Sequence, residues 1–519
     1  MSLILQVFAW LTLSLVIQVP LLAADRPNIL FAIADDWSFG HASAYECQWV
    51  ATPNFDRVAR EGILFTRAFT PNAKCAPSRA TILTGRYSWQ LEEAGNHMAV
   101  FPVKFGSFME RLAADGYSAG YTGKGWGPGV ANNATGQPRA ITGKNFSRLK
   151  TKPPTQHISN NDYAGNFAAF LQSQNESQPW VFWYGATEPH RAYEFQSGVR
   201  LGKKLADIDR VPNYWPDNET IRNDMLDYAV EVEHFDTHLG RILEHLSAAG
   251  QLDNTLVVVT SDHGMPFPRV KGQAYVHSNH IPLAIRWPKG IQGQGRVVND
   301  FVNFTDLAPT FLQAAGIAAP QPIMQPISGR SLFDIFASSQ SGQVTPARDH
   351  VLVGKERHDT GRPDDQGYPI RGICQGDWLY LKNFETDRWP AGNPETGYLN
   401  CDGGPTKTNI LNLRRNAQDT RWWELAFGKR PSEEFFNLAL DPDCATNVAD
   451  AERYQDVIAS LRTRMEQELK EQGDPRMLGR GEIFDQYPYS DSKTGQFYNR
   501  WKSGEKMSAG WVEPTDFEK

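Results

Sequence analysis

Positive charge is in short supply in this sequence. Lysine and arginine number 52 against 59 aspartates and glutamates, which gives a formal net charge of −7. General nucleic-acid binders carry a basic surface, so we expect no nucleic-acid partner. An anionic substrate is not excluded, because the local field of a pocket can oppose the charge of the whole molecule.

Long apolar runs are absent after residue 24. A bilayer span needs about 20 apolar residues, so we expect none in the mature chain. Residues 1–24 are apolar and end in Leu22-Ala23-Ala24, which is typical of a signal peptide cleaved at small residues. No lysine or arginine lies near Met1, and an uncleaved anchor helix is the alternative. Cleavage predicts an exported protein, periplasmic or secreted.

Cysteine is also scarce. An odd number of cysteines in an exported chain indicates that one of them has a special role. Setting one aside for chemistry leaves four that could form disulfides, and their pairing stays open. The five are Cys47, Cys75, Cys374, Cys401 and Cys444.

Short apolar runs alternate with amphipathic helical stretches along the first 300 or so residues. Continuous runs of this length are typical of strands buried on both faces. Their alternation with helices predicts an α/β fold with a mixed, mostly parallel sheet flanked by helices. The predicted strands are residues 28–34, 117–121, 180–184 and 255–260, and the predicted helices include residues 52–62 and 222–249.

The composition changes near residues 338–348, where Ser, Gly, Gln and Pro gather. Beyond them lie strand-like pieces, a Gly- and Pro-rich loop, and a helix. We therefore predict a larger domain over residues 25–345 and a smaller C-terminal α+β domain over residues 346–519. The pieces are strands at 350–354, 369–373 and 377–382, the loop at 385–405 and the helix at 451–472.

Polar residues follow each predicted strand of the larger domain. In open α/β sheets ligands bind beyond the carboxyl ends of the strands, so these side chains are expected to meet in one site. Gathered carboxylates repel one another, and oxygen ligands suit Ca²⁺ or Mg²⁺. Helix capping is the alternative role for the paired aspartates. The residues concerned are Asp35, Asp36, Lys124, His190, Arg191, Asp262 and His263.

Cys75 precedes Pro77 and a short helical stretch that stops at Gly85. This pattern places the thiol at a helix N-terminus, where backbone N–H groups favour anionic nucleophiles and bound anions. A lone buried cysteine without chemistry is the alternative.

The segment from Cys75 to Arg86 reads C-A-P-S-R-A-T-I-L-T-G-R and is similar to the signature of the sulfatase family. Further motifs follow in the family's order: R-P-N-I-L with the paired aspartates, T-P-N, G-K, E-P-H and S-D-H-G. The resemblance extends over residues 26–316, and residues 441–449 resemble a C-terminal family motif.

This resemblance implies an alkaline-phosphatase-like fold and a catalytic domain that binds calcium. Cys75 would be oxidised by a formylglycine-generating enzyme to formylglycine, the nucleophile towards sulfur. By position, Arg79, Lys124 and Lys271 would hold the nucleophile and the sulfate, and His190 or Lys271 would protonate the leaving group. The implied calcium ligands are Asp35, Asp36, Cys75, Asp262 and His263.

One position departs from the family pattern. Relatives often carry His two residues after the lysine of G-K-x-H, where this chain has Trp126. His97 is a candidate replacement, and a substrate-contacting or structural role for it is equally open. His97 and Arg191 are predicted to bind substrate.

The motifs around residues 188–191 and 262–268 resemble most closely the heparan N-sulfatase (sulfamidase) branch. We therefore expect a sulfated oligo- or polysaccharide as substrate, with Arg388 and Trp389 as candidates for its subsite. Two rivals remain open: a phosphate or phosphonate ester hydrolase of the same superfamily, and a non-catalytic glycan-binding relative.

Overall fold

A computed structural model of the protein describes residues 26–175, 177–317 and 322–518. The predicted signal peptide lies outside these residues. The described part contains strands β1 (Asn28–Ala34), β2 (Ile63–Phe69), β3 (Ala99–Phe101), β4 (Ser118–Gly123), β5 (Gly129–Ala131), β6 (Lys144–Asn145), β7 (Trp180–Gly185), β8 (Thr255–Ser261), β9 (His280–Arg286), β10 (Arg296–Val298), β11 (Val302–Asn303), β12 (His350–Lys355), β13 (Ile370–Gln375), β14 (Trp378–Asn383) and β15 (Glu433–Asn437).

The α-helices of the described residues range in length from four to thirty residues. They are α1 (Pro53–Arg60), α2 (Cys75–Thr84), α3 (Phe108–Ala114), α4 (Tyr163–Gln172), α5 (Ser197–Arg200), α6 (Glu219–Ala248), α7 (Val276–Asn279), α8 (Leu307–Ala314), α9 (Phe333–Phe336), α10 (Pro405–Arg415), α11 (Arg421–Phe427), α12 (Gln455–Glu471), α13 (Ile483–Gln486) and α14 (Phe497–Lys502).

Nine strands form the main sheet, in the order β10–β2–β9–β8–β1–β7–β4–β6, with β11 paired to β2. Strand β9 runs antiparallel to β2 and β8, and the other pairs are parallel. The predicted mixed, mostly parallel sheet is confirmed.

Both faces of the sheet are covered, as the continuous apolar runs predict. In β1, Leu30, Ala32 and Ala34 pack in one core with α1, α4 and α6. Ile29, Phe31 and Ile33 point to the opposite face, into a second core with α2, α3 and α8. Because successive side chains of a strand alternate between faces, a strand buried on both sides has to be apolar throughout.

Strands β12–β15 form a separate antiparallel sheet. Helix α12 packs on it through a stripe of residues spaced three or four apart, which is the spacing of one helix face. The predicted α+β character of this region is thus present, while the domain boundary near residue 345 stays a prediction. The stripe is Ile458, Leu461, Met465 and Leu469.

Two further expectations concern the chain as a whole. Among the helices that the structure describes, none combines the length and the apolar character needed to cross a membrane. All five cysteines lie in the described part, and none of them is in a disulfide.

A buried ion network ties β13 to the segment after α12. Arg371 is fully buried and lies 2.7 Å from both Glu356 and Asp474. Arg371→Ala would leave the buried carboxylate of Asp474 without its cationic partner, while Glu356 keeps its pair with Arg476. We therefore expect the free energy of unfolding to fall by about 3–5 kcal/mol. Denaturant unfolding measures this. Arg500→Ala, which removes an exposed pair with Glu505, is the control and should change little; equal effects of both variants would contradict the argument.

Candidate active site

The carboxyl ends of four adjacent strands, β8, β1, β7 and β4, meet at one edge of the main sheet. Backbone hydrogen bonds join the segments at these strand ends: Asp35 N donates to Glu188 O at 3.0 Å and Lys124 N donates to Gly185 O at 2.7 Å. Gly185 has no room for a side chain, since a Cβ there would lie 1.9 Å from Lys124 O. The polar residues beyond the strand ends therefore converge, as the sequence pattern predicts.

Asp35, Asp36 and Asp262 form a buried acidic group. One carboxylate oxygen from each of the three lies within 4.8 Å of the other two. Asp262 Oδ1 accepts from the backbone N–H of Asp36 at 3.0 Å and of His263 at 2.9 Å. Asp36 has φ 78°, in the left-handed region, so the chain turns sharply after β1.

The electrostatics of this group favour a cation. Burial, followed by the charge of Asp35, raises the pKa of Asp262 to about 7. Burial also acts to raise the pKa of Asp35, but Lys124 and Arg79 hold that pKa well below its ordinary value. A cation between the carboxylates would relieve this repulsion.

His263 completes the group. Its Nδ1 lies 3.0 Å from the carbonyl oxygen of Gly264. A carbonyl only accepts, so Nδ1 carries a hydrogen. Burial acts to lower the pKa of His263, but Asp262 and Asp36 hold that pKa well above its ordinary value, so Nε2 is protonated as well and would bind a metal only after losing this proton. Nε2 lies 3.0 Å from Asp36 Oδ1 and 3.5 Å from Cys75 Sγ. Three carboxylates and one imidazole fit a hard divalent cation such as calcium.

Cys75 is the first residue of α2, as the sequence predicts, and its side chain is buried. Burial and the charge of Asp35 act to raise the pKa of its thiol, but Lys124, Lys271 and a hydrogen bond from His263 bring the pKa well below its ordinary value. The site therefore favours an anionic group at this position. The sulfur atom occupies the position that an oxygen of formylglycine would take.

Arg79 lies behind the acidic group. Its Nε is 2.9 Å from Asp262 and its Nη2 is 3.2 Å from Asp35. Its Nη1 donates to the carbonyls of Lys124 and Gly125. All three nitrogens are bound to protein and the side chain has no exposed surface, so Arg79 holds the carboxylates in place. Its contact with the nucleophile and the sulfate stays a prediction.

Lys271 connects the acidic group to the long loop at residues 385–405. Its ammonium lies 2.7 Å from Asp36 Oδ2 and 2.7 Å from Asp402 Oδ2. His190 Nε2 lies 4.0 Å from the same oxygen of Asp402, and its Nδ1 donates to the carbonyl of Arg191. Asp402 was missed by the sequence analysis, and nothing in its local sequence links it to the sheet edge.

A second contact from the C-terminal part lies beside Cys75. Asp359 is 2.8 Å from Lys74 Nζ and 3.1 Å from His97 Nδ1. His97 Nε2 is buried without a hydrogen-bond partner among the described residues. Sequence reasoning selected His97 but missed Lys74 and Asp359, although Lys74 directly precedes the signature cysteine.

Some of these residues line a cavity of about 900 Å³. Trp126 lines it and donates from its indole nitrogen to the carbonyl of Ala76. The tryptophan that departs from the family pattern therefore contacts the first turn of α2. Five of the predicted site residues line the cavity: Cys75, His97, Lys124, His190 and Lys271.

Arg191 does not line the cavity, contrary to its predicted contact with substrate. Its guanidinium makes two hydrogen bonds to Asp224, at 2.8 and 2.7 Å, and one to Pro266 O. Arg388 and Trp389 also lie elsewhere, around a separate cleft. The long loop reaches the cavity through Asp402 instead.

Comparison with known proteins agrees with this geometry. The sulfatase family model matches residues 27–317. Human N-sulphoglucosamine sulphohydrolase is 26% identical over 494 residues, which cover 88% of this chain and 92% of the relative. An ulvan-active sulfatase of Formosa agariphila is 23% identical over 507 residues, which cover 88% of this chain and 77% of the relative.

Solved structures share the fold. A complex with its substrate D-glucosamine-2-N,6-O-disulfate matches with a TM-score of 0.62 at 20% identity, covering 86% of this chain and 98% of the other. A phosphonate monoester hydrolase of Agrobacterium radiobacter matches with a TM-score of 0.61 at 19% identity, covering 86% and 96%. The predicted resemblance to the heparan N-sulfatase-like branch is confirmed by the human relative. The family match spans more than half of the chain and contains Cys75 and all four strand ends, so this protein belongs to the sulfatase family of sulfuric ester hydrolases.

Proposed function

We propose that the protein hydrolyses sulfate from a sulfated glycan, carried as an O-sulfate ester or an N-sulfate, with formylglycine made from Cys75 and a bound calcium ion. One observation carries this proposal: Cys75 begins a helix, 3.5 Å from His263 of the acidic group, beside a cavity lined by four lysines. The lysines are Lys74, Lys124, Lys144 and Lys271.

The named relatives support the substrate class. N-sulphoglucosamine, ulvan and a glucosamine disulfate are all sulfated sugars, and they appear in the names of these proteins. A formylglycine-generating enzyme is the implied maturation partner. The predicted signal peptide supports export to the periplasm or the medium.

Two groups would supply part of the chemistry when present. Calcium, held by Asp35, Asp36, Asp262 and His263, would act as a Lewis acid towards the sulfuryl oxygens. Formylglycine would supply a nucleophilic oxygen that the thiol lacks.

The chain's own residues would do the rest. Lys124 Nζ lies 2.5 Å from Asp35, and Lys271 lies between Asp36 and Asp402, so both ammonium groups are fixed in place. Fixed cations in a buried site stabilise charge that develops on the sulfuryl oxygens, at little reorganisation cost. Arg79 would contribute by holding Asp35 and Asp262 in position.

A proton must reach the leaving sugar oxygen. His190 is partly exposed to the cavity, and its Nε2 points towards Asp402, whose carboxylate would stabilise an imidazolium. Lys271 is the other candidate donor, since its ammonium is nearby. We assign the protonation of the leaving group to His190 first, because the ammonium of Lys271 is already engaged by the carboxylates of Asp36 and Asp402.

The fold match to a phosphonate monoester hydrolase keeps one alternative, hydrolysis of phosphate or phosphonate esters by the same residues. Protein co-expressed with a formylglycine-generating enzyme should turn over 4-nitrophenyl sulfate faster than 4-nitrophenyl phosphate, by at least about tenfold in kcat/KM, since tenfold is only 1.4 kcal/mol of transition-state binding. It should also release sulfate from heparan sulfate or ulvan oligosaccharides. A preference for the phosphate would establish the alternative. An unmodified Cys75 in peptide mass analysis, with no turnover, would contradict both.

A further inference from the structure

The cavity is also lined by a residue close to the C-terminus, Trp511. We propose that Trp511 determines specificity by binding a sugar ring of the substrate against its indole. This inference rests on the proposed function and deepens it, because it names the residue that distinguishes a glycan from a bare sulfate.

Trp511 is held on the same wall as Asp402. Its indole Nε1 donates to the carbonyl of Leu399 at 2.8 Å. Its own carbonyl accepts from the backbone N–H of Gly403, also at 2.8 Å. These two hydrogen bonds flank Asp402, whose carboxylate binds Lys271 of the reaction centre. The tail and the reaction centre are therefore connected through one short segment.

The tail itself is firmly anchored. Asp516 forms a 3.0 Å ion pair with Lys407, and both side chains are fully buried. Lys407 also donates to the carbonyls of Gly397 and Cys401. Removing a buried charge from water is costly, so such a pair persists only where its geometry is fixed. The anchoring pre-organises Trp511 and lowers the entropy cost of binding through it.

The chemistry left to Trp511 is that of its ring. Because its only donor is already bound to protein, its remaining contacts are apolar. Aromatic rings with a few placed polar groups are what line ligand pockets, and the C–H face of a sugar packs well on an indole. Carboxylates of Asp359 and Asp402 line the same cavity and retain lone pairs for sugar hydroxyls.

The test compares variants with and without an aromatic ring at position 511. Trp511→Ala should lower kcat/KM for the preferred heparan sulfate or ulvan oligosaccharide about tenfold, within the range for losing one aromatic contact. Inhibition by inorganic sulfate, which reports on the reaction centre alone, should keep its Ki. Trp511→Phe should retain most of the oligosaccharide activity, because it keeps a ring.

Trp501→Ala is the matched control. Trp501 belongs to the same tail but packs towards Phe517 and lines a different cleft, so its loss should leave oligosaccharide turnover unchanged. An equal loss of oligosaccharide activity and sulfate inhibition in Trp511→Ala, or no loss of either, would overturn the proposal. If wild-type protein released no sulfate at all, the proposed function would fail, and calorimetric titration of the same oligosaccharides into wild type and Trp511→Ala would still decide whether Trp511 binds sugar.

Discussion

Cys75→Ala is expected to lose sulfate release by at least about a thousandfold in kcat, since removal of a nucleophile leaves only binding and electrostatic effects. The side chain is 2% exposed and makes one contact with His263 at 3.5 Å. Alanine keeps the helix and removes only the reactive group, so the fold should survive. Initial rates with 4-nitrophenyl sulfate and circular dichroism measure the two effects.

Cys47→Ala is the control for this variant. Cys47 is also unpaired, but it is half-buried and does not line the cavity. Its loss should leave the rate unchanged. Retained activity in Cys75→Ala would rule out covalent catalysis through this residue, whatever the cavity binds.

The four central parallel strands of the main sheet, β8, β1, β7 and β4, could be predicted from local pattern. The bounds predicted for β1 match those observed, because every residue from Asn28 to Ala34 is buried. Strands β2 and β9 were not predicted. The run of β2 is interrupted by half-buried Thr66 and Arg67, where a bulge shifts its register with β9. Strand β9 contains a proline, Pro282, so neither reads as a continuous apolar strand.

The site was predictable where its residues follow strands. Asp35, Asp262 and Lys124 lie directly beyond strand ends, and topology alone brings them together. Asp402 and Trp511 reach the same cavity from loops far along the chain, and long-range packing of this kind leaves no periodic signal. The ion-pair partner of a cationic side chain is equally unpredictable from local sequence. Arg191 follows a strand end, but the carboxylate that binds it belongs to α6.

Calcium dependence should be strong and should reside in the acidic group. Exhaustive chelation is expected to abolish turnover, and readdition of calcium should restore it, because three buried carboxylates would otherwise repel one another at the reaction centre. Ligand binding to the folded state alone stabilises it by about 2.7 kcal/mol at a hundred times Kd, so calcium should also raise Tm. Both effects can be measured on the mature enzyme by rate assays and thermal unfolding.

Asp262→Asn tests whether calcium binds at the acidic group. Asp262 is fully buried, and its two oxygens serve different partners: Oδ1 accepts two backbone N–H groups and Oδ2 binds Arg79. The amide is nearly isosteric but carries no charge, so we expect calcium affinity to fall by at least about tenfold, as even outer residues of metal sites cost that much.

Glu188→Gln is the matched control for the loss of charge. Glu188 is a buried carboxylate at the same sheet edge, but it accepts from Tyr163 and Ser159 and lies outside the acidic group. Its variant should bind calcium as wild type does. If instead both variants lost affinity equally, the effect would be one of general charge near the sheet edge. If neither did, Arg79, Lys124 and Lys271 would be enough to balance the charge of the acidic group, and the case for a metal would be lost.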